Sequence, residues 1–329
     1  MKNTKNTDLL WMYRAMKTSR YFEEKIEKAY VEGKQPIFNI GSGPIPGEMH
    51  LSNGQEPAAA GMIVHLTEND TVTATHRPHH QAIAKGVNLN KMAAEIFGKK
   101  TGLNKGKGGH MHLFDPRVKF SCGGIVGAGI PHAVGAALAN KKRKSDWIAV
   151  SFIGEGAANT GAFHESLNLA ALWKLPFILV IEDNSWAISV AKKNATSIHS
   201  NKKRADAYGI PGYLVKDNDP MEMYRVSKEA VERARKGEGP SLIEIQTYRF
   251  LGHFQGDPEL YRPKDEVTLL RGLDPIERFK QELLDQHLVT QEVLKVIDNK
   301  LFKEVDEAFE FAIKSEYPKP EEALEDVFC

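Results

Sequence analysis

The stretch GEGAANTGAFHESLNLAALWKLPFILVIEDNSWAIS, Gly154 to Ser189, decides the fold. An apolar run, Trp147 to Ile153, leads into it and predicts a strand that ends at Gly154-Glu155-Gly156. Small residues there let backbone amides approach an anion at the start of the next helix, which the pattern places over about Gly161 to Trp173. Pro176 stops that helix, and a second apolar run, Phe177 to Ile181, returns the chain to the same sheet edge. Asp183, Asn184 and Trp186 are thereby delivered beside the first turn, where Glu155 and Asn184, 29 positions apart, converge.

A carboxylate, an amide oxygen and a backbone carbonyl suit a hard divalent cation, leaving places in an octahedral shell for diphosphate oxygens and water. The expected occupant is Mg2+, held by Glu155, Asn184 and Trp186. An isolated Gly-Glu-Gly would serve equally to tighten an ordinary α/β turn. Taken whole, the stretch resembles the thiamin diphosphate signature, which opens with Gly-Asp-Gly and closes at a similar distance with Asn-Asn. Six further blocks stand in the order of one family: HLSNGQEPAAAG from His50, THRPHHQAIAKG from Thr75, GKGGHMHLF from Gly106, GGIVGAGIPHAVGAALA from Gly123, AYGIPG from Ala207 and TYRFLGHFQGDPELYR from Thr247. Over nearly its whole length the chain resembles alpha subunits of thiamin diphosphate-dependent 2-oxo acid or acetoin dehydrogenases.

That resemblance implies an α/β thiamin diphosphate-binding fold and a set of site residues. Backbone groups of Gly124 and Val126 would meet the aminopyrimidine ring. Amides of Gly156 and Ala157 would meet the diphosphate, and the Trp186 carbonyl the metal. His50 and His253 match the family's active-site histidines and are the candidates for acid–base work. His79, His80, His110 and His112 are expected mainly to order loops. The resemblance further implies a beta subunit that supplies the glutamate activating the pyrimidine, an assembly of two alpha and two beta chains, a lipoyl-bearing acyltransferase as acceptor, and no activity of this chain alone.

Arg77 is a candidate diphosphate ligand in its own right, because its planar fork donates in pairs and stays charged. His76 stands where relatives often carry Tyr; in that place its protonation near neutral pH would matter. Glu155 replaces the usual Asp, and Asp183 the first Asn of the usual pair. Glu182 occupies the position of a phosphate-contacting Arg in branched-chain relatives, which disfavours that substrate. Gln255 stands two residues after His253, so the serine used for regulatory phosphorylation in mitochondrial pyruvate relatives is missing. THRPHH, EDNSWAIS and GHFQGDPELYR look closest to acetoin-type members. A pyruvate or branched-chain subunit, or a cofactor-binding module without chemistry, remain the alternatives.

Gly127-Ala128-Gly129 invites a dinucleotide fingerprint, but the third glycine of that motif falls on His132, and no apolar strand directly precedes the loop. Cys122 is expected to pack as a small apolar residue, and the two cysteines of the chain offer no disulfide framework or zinc motif. No histidine pair has a clear helical ligand spacing with a carboxylate.

With 329 residues, 41% hydrophobic and 26% charged, the chain has the make-up of an ordinary globular protein, and its formal net charge of +1 argues against a nucleic-acid footprint. Its longest apolar runs, such as FILVI, fall far short of a membrane span. The N-terminal MKNTKNTDLLWMYRAM reads neither as a signal nor as a transit peptide, so the cytoplasm is the expected compartment. Asp8 to Glu32 has the spacing of a helix that buries Leu9, Met12, Met16, Phe22, Ile26 and Tyr30. TVTATH, WIAVSFI, FILVIE and SLIEIQTY read as strands alternating with helices, which predicts one domain with a mostly parallel sheet flanked by helices. Beyond Tyr261 the pattern turns to charged, long-period helices, a helical extension from about residue 262 that packs on the domain or on a partner.

Overall fold

The structure is a computed structural model, and it describes residues 6–34 and 38–326. Helix α1 (Asn6–Val31) opens the chain and buries the six apolar residues that its spacing singled out. Helix α2 (Glu56–Ile63) leads to strand β1 (Thr71–Ala74), which is followed by α3 (His79–Lys85) and α4 (Leu89–Ile96). Two short strands, β2 (Phe114–Asp115) and β3 (Phe120–Cys122), precede α5 (Gly129–Lys142) and β4 (Ala149–Gly154). Next come α6 (Gly161–Leu172), β5 (Phe177–Asp183), a small hairpin of β6 (Trp186–Ala187) and β7 (Val190–Ala191), and α7 (Lys192–Ala195). Strand β8 (Gly212–Val215), α8 (Pro220–Arg235) and β9 (Ser241–Gln246) complete the α/β part; α9 (Lys264–Arg271), α10 (Pro275–Asp285) and α11 (Gln291–Lys314) follow.

Seven strands form one sheet in the order β2-β3-β1-β4-β5-β9-β8, parallel throughout except for the edge strand β2. The central strands are continuous apolar runs because both faces are covered. Val150, Phe152, Ile178, Val180, Ile243 and Ile245 pack on one face with residues of α1 to α4, α8 and α11. Ala149, Ile153, Leu179, Ile181 and Leu242 pack on the other with α5 and α6. The expected mostly parallel sheet flanked by helices is therefore present. Strands β2, β3 and β8 lay outside the four expected ones; they are two to four residues long and carry too few alternations to register as a period. Strand β3 also corrects one expectation: a short strand does lead into the Gly123 to Gly129 loop, although four residues separate its end at Cys122 from Gly127 and His132 stands at the third glycine position, so the dinucleotide fingerprint still fails.

The connection leaving β1 runs to one face of the sheet, while those leaving β3 and β4 run to the other. Their loops diverge at the carboxyl ends of the strands, which leaves a crevice where ligands of such sheets bind. The C-terminal helices pack back on the body. Helix α11 lies along α4 and α1, burying Leu301, Val305, Ala308 and Phe309, and α10 joins α1 around Phe279 and Leu283.

Asp70 anchors the far end of β1. Its fully buried carboxylate accepts from the Ile148 amide at 2.8 Å, the Thr67 amide at 2.7 Å and the Arg235 guanidinium at 2.6 Å, tying β1 to β4 and to the end of α8. Replacing Asp70 with Ala strands two amides and a guanidinium; urea unfolding of the chain should show a loss of about 3 kcal/mol. A loss of a few tenths would mean that water takes over its role.

Candidate active site

Four loops meet in the crevice. The first follows β1 and carries Thr75, His76 and Arg77 before Pro78 opens α3. The second follows β4. Here Glu155 to Asn159 form a separate 3-10 turn, and α6 starts only at Gly161, capped by the Thr160 hydroxyl, which accepts from the Phe163 amide. The amides of Gly156 and Ala157 thus sit on that short turn ahead of the helix, which starts at Gly161 as the sequence pattern places it, with Thr160 as its cap. A Cβ on Gly156 would lie 2.7 Å from the Ala187 side chain, so only glycine lets the turn seat against β6. The third loop follows β5 and carries Asn184, Ser185 and Trp186. The fourth runs from Thr247 to Asp257 and carries Arg249 and His253.

Glu155, Asn184 and Trp186 come together as expected. The Asn184 amide donates to Glu155 Oε2 at 3.4 Å, and the Asn184 side-chain oxygen accepts from the Trp186 amide at 3.2 Å. Glu155 Oε1 is buried without a hydrogen-bond partner. Burial, with Asp183 adding repulsion, pushes this carboxyl up to about 7. A buried carboxylate oxygen with nothing to bind, beside an amide oxygen, is a donor set that fits a hard cation. Asp183 itself is turned elsewhere: it pairs with Lys192, which also lies 3.0 Å from Glu244.

His76, Arg77, Val126, Gly156 and Ala157 border the resulting cavity of about 250 Å³. Gly124 does not line it, although its neighbours Gly123, Ile125 and Val126 do. Arg77 is buried and donates from one terminal nitrogen to the Leu51 carbonyl and from the other to the His253 carbonyl at 2.8 Å. It therefore clamps the two histidine-bearing loops together. Backbone bonds reinforce the clamp, from Gln255 to Met49 at 2.7 Å and from Phe250 to Asn53 at 3.0 Å. At Gly54, φ is +99°, and a Cβ would lie 2.5 Å from the Tyr248 carbonyl, so the two loops approach at glycine distance.

His50 and His253 are brought together. Their rings lie 5.0 Å apart, and His76 packs against both, at 4.6 Å from His50 and 5.5 Å from His253. Burial followed by the Arg77 charge pushes His76 down to about 3 and His253 to about 4, with Arg249 also acting on His253; His50 is driven far below the ordinary range for the same first two reasons. All three are neutral at physiological pH, so the expected titration of His76 near neutrality does not occur. One nitrogen from each lies within 4.8 Å of the others, yet the guanidinium groups of Arg77 and Arg249 oppose a cation among them.

Of the other histidines expected to order loops, His79 and His80 instead stand in the first turn of α3. His79 Nδ1 lies 2.9 Å from the buried Glu23 carboxylate, which also accepts from the Ser52 amide. His80 lies 2.5 Å from Glu182, and His110 bonds to His50. Cys122 accepts from the Leu113 amide, and burial pushes its thiol up to about 12, which removes it as a nucleophile. Sequence reasoning missed Gln55, whose side-chain oxygen accepts from Asn184 at 3.0 Å, and Arg249, which is buried beside the cavity. Both sat inside quoted blocks, but nothing about their spacing distinguished them from neighbours.

The raised Glu155 carboxyl has a stability consequence. Folded chain keeps this proton where unfolded chain has lost it, so stability falls by up to about 3 kcal/mol as pH rises from about 4.5 to 7, and stays at that lower level above 7. In chain freed of divalent cations, Glu155→Gln should therefore raise stability most at about pH 8, with the gain vanishing toward pH 4.5. Urea titrations at both ends of this range read the difference, and a gain independent of pH would rule out a buried charge.

Residues 14–321 match the family described as Dehydrogenase E1 component. The alpha subunit of acetoin:2,6-dichlorophenolindophenol oxidoreductase from Bacillus subtilis (strain 168) is 42% identical over 97% of this chain and 93% of its own length. Alpha subunits of pyruvate dehydrogenase E1 components are comparably similar. The chloroplastic alpha-3 protein of Oryza sativa subsp. japonica is 40% identical over 98% of this chain and 76% of its own, and the pyruvate dehydrogenase E1 component subunit alpha of Rhizobium meliloti (strain 1021) is 39% identical over 97% and 90%. The resemblance seen in the six blocks thus extends over the length of the fold, and the chain is a thiamin diphosphate-dependent oxidoreductase subunit of the alpha type. It belongs to the dehydrogenase E1 component family.

Proposed function

We propose that this chain is the alpha half of an enzyme that cleaves acetoin or, as the alternative, decarboxylates a 2-oxo acid such as pyruvate, and passes the acyl group to a lipoyl-bearing acyltransferase. The observation that carries the anion-binding part of this reading is a pair of buried guanidinium groups, Arg77 and Arg249, that border the cavity without an ion pair among the described residues. Buried cations satisfied only by neutral groups favour an anion strongly, and a diphosphate supplies one. The Gly156 and Ala157 amides are the proposed neutral donors to it. Glu155, the Asn184 side-chain oxygen and the Trp186 carbonyl are the proposed holders of Mg2+. His76 and Val126 would flank the cofactor, with Gly124 reaching it through its backbone.

Bound thiamin diphosphate supplies the nucleophilic carbon and the electron sink for carbon–carbon cleavage. This chain's own residues bind it, exclude water on their side and present His50 and His253 to the substrate. The cavity is smaller than the roughly 300–1,000 Å³ usual for a closed small-molecule site. Ile125, Val126 and Ile188 stand exposed at its mouth. A small cleft with an apolar rim supports completion by a second chain, here a beta subunit in an assembly of two alpha and two beta chains. We treat the alpha chain as one thiamin diphosphate-binding domain with a helical extension from about residue 262, working in the cytoplasm. Among the described residues no helix is long and apolar enough to cross a membrane.

The acetoin preference rests on the Bacillus relative and on Glu182. This side chain is engaged by His80 and by Gln81 at 2.8 Å, so the branched-chain position holds a paired acid rather than a phosphate-binding base. The test is reduction of an artificial electron acceptor by the chain mixed with a candidate beta subunit, supplied with acetoin, pyruvate or branched 2-oxo acids. Turnover that needs both chains and thiamin diphosphate, fastest with acetoin, is expected. Glu155→Ala should abolish Mg2+-dependent cofactor binding in calorimetry; unchanged binding would remove Glu155 from the metal site, and cofactor binding without turnover of any of these substrates would reduce the protein to a binding module.

A further inference from the structure

His253 lines the cavity and His50 lies buried directly behind it, and the two have different neighbours at Nδ1. His110 Nε2 accepts the backbone N–H of His50 at 3.1 Å, so that nitrogen carries no proton. The same atom lies 3.1 Å from His50 Nδ1. Two bare nitrogens at hydrogen-bond distance repel, so His50 Nδ1 is the donor and its proton is spent inward. His50 Nε2 is left bare. Glu48 Oε2 lies 3.9 Å from it, beyond hydrogen-bond length, and claims no proton there.

At His253 the arrangement is reversed. Arg249 reaches Nδ1 with a terminal nitrogen at 3.3 Å, and a guanidinium only donates. Nδ1 is thus the acceptor, and the proton of the neutral ring sits on Nε2. Arg249 is itself held by the Tyr261 hydroxyl at 2.9 Å, and Tyr261 by Asp257 at 2.6 Å, while the Asp257 carboxylate also accepts the His253 amide at 2.8 Å. That closed circuit fixes the ring and its partner together.

We infer that His110 and Arg249 are positioning residues that hold the catalytic histidines in opposite tautomers, so that His50 acts through a bare Nε2 as acceptor and His253 through Nε2–H as a neutral donor. His253 then polarises a substrate carbonyl oxygen without giving up its proton, since loss of that proton would leave an imidazolate. It works as a hydrogen-bond donor where negative charge develops, not as an imidazolium acid. His50 receives the hydrogen bond of a substrate hydroxyl. Burial beside Arg77 agrees with both rings being neutral. This assignment rests on the proposed function only for the identity of the substrate oxygens.

Neutron diffraction from deuterium-exchanged crystals of the full chain reads the protons directly. Deuterium is expected on His50 Nδ1 and His253 Nε2, with His50 Nε2 and His253 Nδ1 bare; density on either bare nitrogen overturns the inference. In the assembly with a beta chain, His110→Leu should lower kcat by on the order of tenfold to a hundredfold with KM little changed, whereas His110→Gln, which keeps an acceptor near the place of Nε2, should recover most of it. Equal losses in the two variants would overturn the role of His110. Should no acetoin or 2-oxo acid be turned over, the proposed function fails, and the neutron map still decides the tautomers.

Discussion

The guanidinium of Arg77 is the contact on which the rest of the site depends. It lies at the end of β1, buried, and spends its two terminal nitrogens on carbonyls of loops far apart in sequence, at Leu51 and His253. Besides it, the His50 loop is held against the His253 loop by a few backbone bonds, the Thr247 hydroxyl donating to the Gly54 carbonyl at 3.1 Å, and the close approach at Gly54. Burial and the neighbouring Arg249 push it down to about 9, so it remains charged at neutral pH. Burial, and after it this charge, keeps His50, His76 and His253 neutral. One side chain therefore ties together the geometry of the histidine cluster and, with burial, its protonation.

The departures from the signature at Glu155 and Asp183 are absorbed in different ways. Asp183 would bring a second negative charge beside Glu155, but Lys192 pairs with it and with Glu244, while Ser200 donates to the other oxygen of Glu244. That network also fastens the β6–β7 hairpin and α7, the segment beside Trp186, to the edge of β9. Glu155 has no such partner, and its longer side chain keeps one oxygen bare within the crevice. A neutralised Asp183 and an unmatched Glu155 leave a single unpaired carboxylate at this corner, the donor set that the proposed Mg2+ site would use.

Most of the fold was legible because its decisive strands are long apolar runs. Trp147 to Ile153 and Phe177 to Ile181 can sit only in the centre of a covered sheet, and the glycine turn between β4 and α6 marks the crevice. Short strands such as Phe120 to Cys122 were not legible, since three residues carry no period and their pairing with β1 is a tertiary fact. The same division runs through the site. Glu155, Asn184, His50 and His253 could be singled out because a motif names them, and the fold brings Glu155 beside Asn184 and His50 beside His253. Arg249, Gln55 and the role of His110 depend on which loops touch. Arg77 was legible as a cation, but its two carbonyl partners lie 26 and 176 positions away and no spacing announces them.

A site built this way is strong on one side and open on the other. The anion-binding side is rigid: its amides lie on a tight turn, its cations are buried, and its histidines are each hydrogen-bonded from behind or packed against one another. The mouth is formed by Ile125, Val126 and Ile188, side chains more than half exposed to solvent. Electrostatic preorganisation acts best where water is excluded. The neutral donor at His253 and the bare nitrogen at His50 gain most of their effect only once that apolar rim is covered. The chain has thus placed its polar groups with the precision of an active site while leaving the desolvation that they need to another surface.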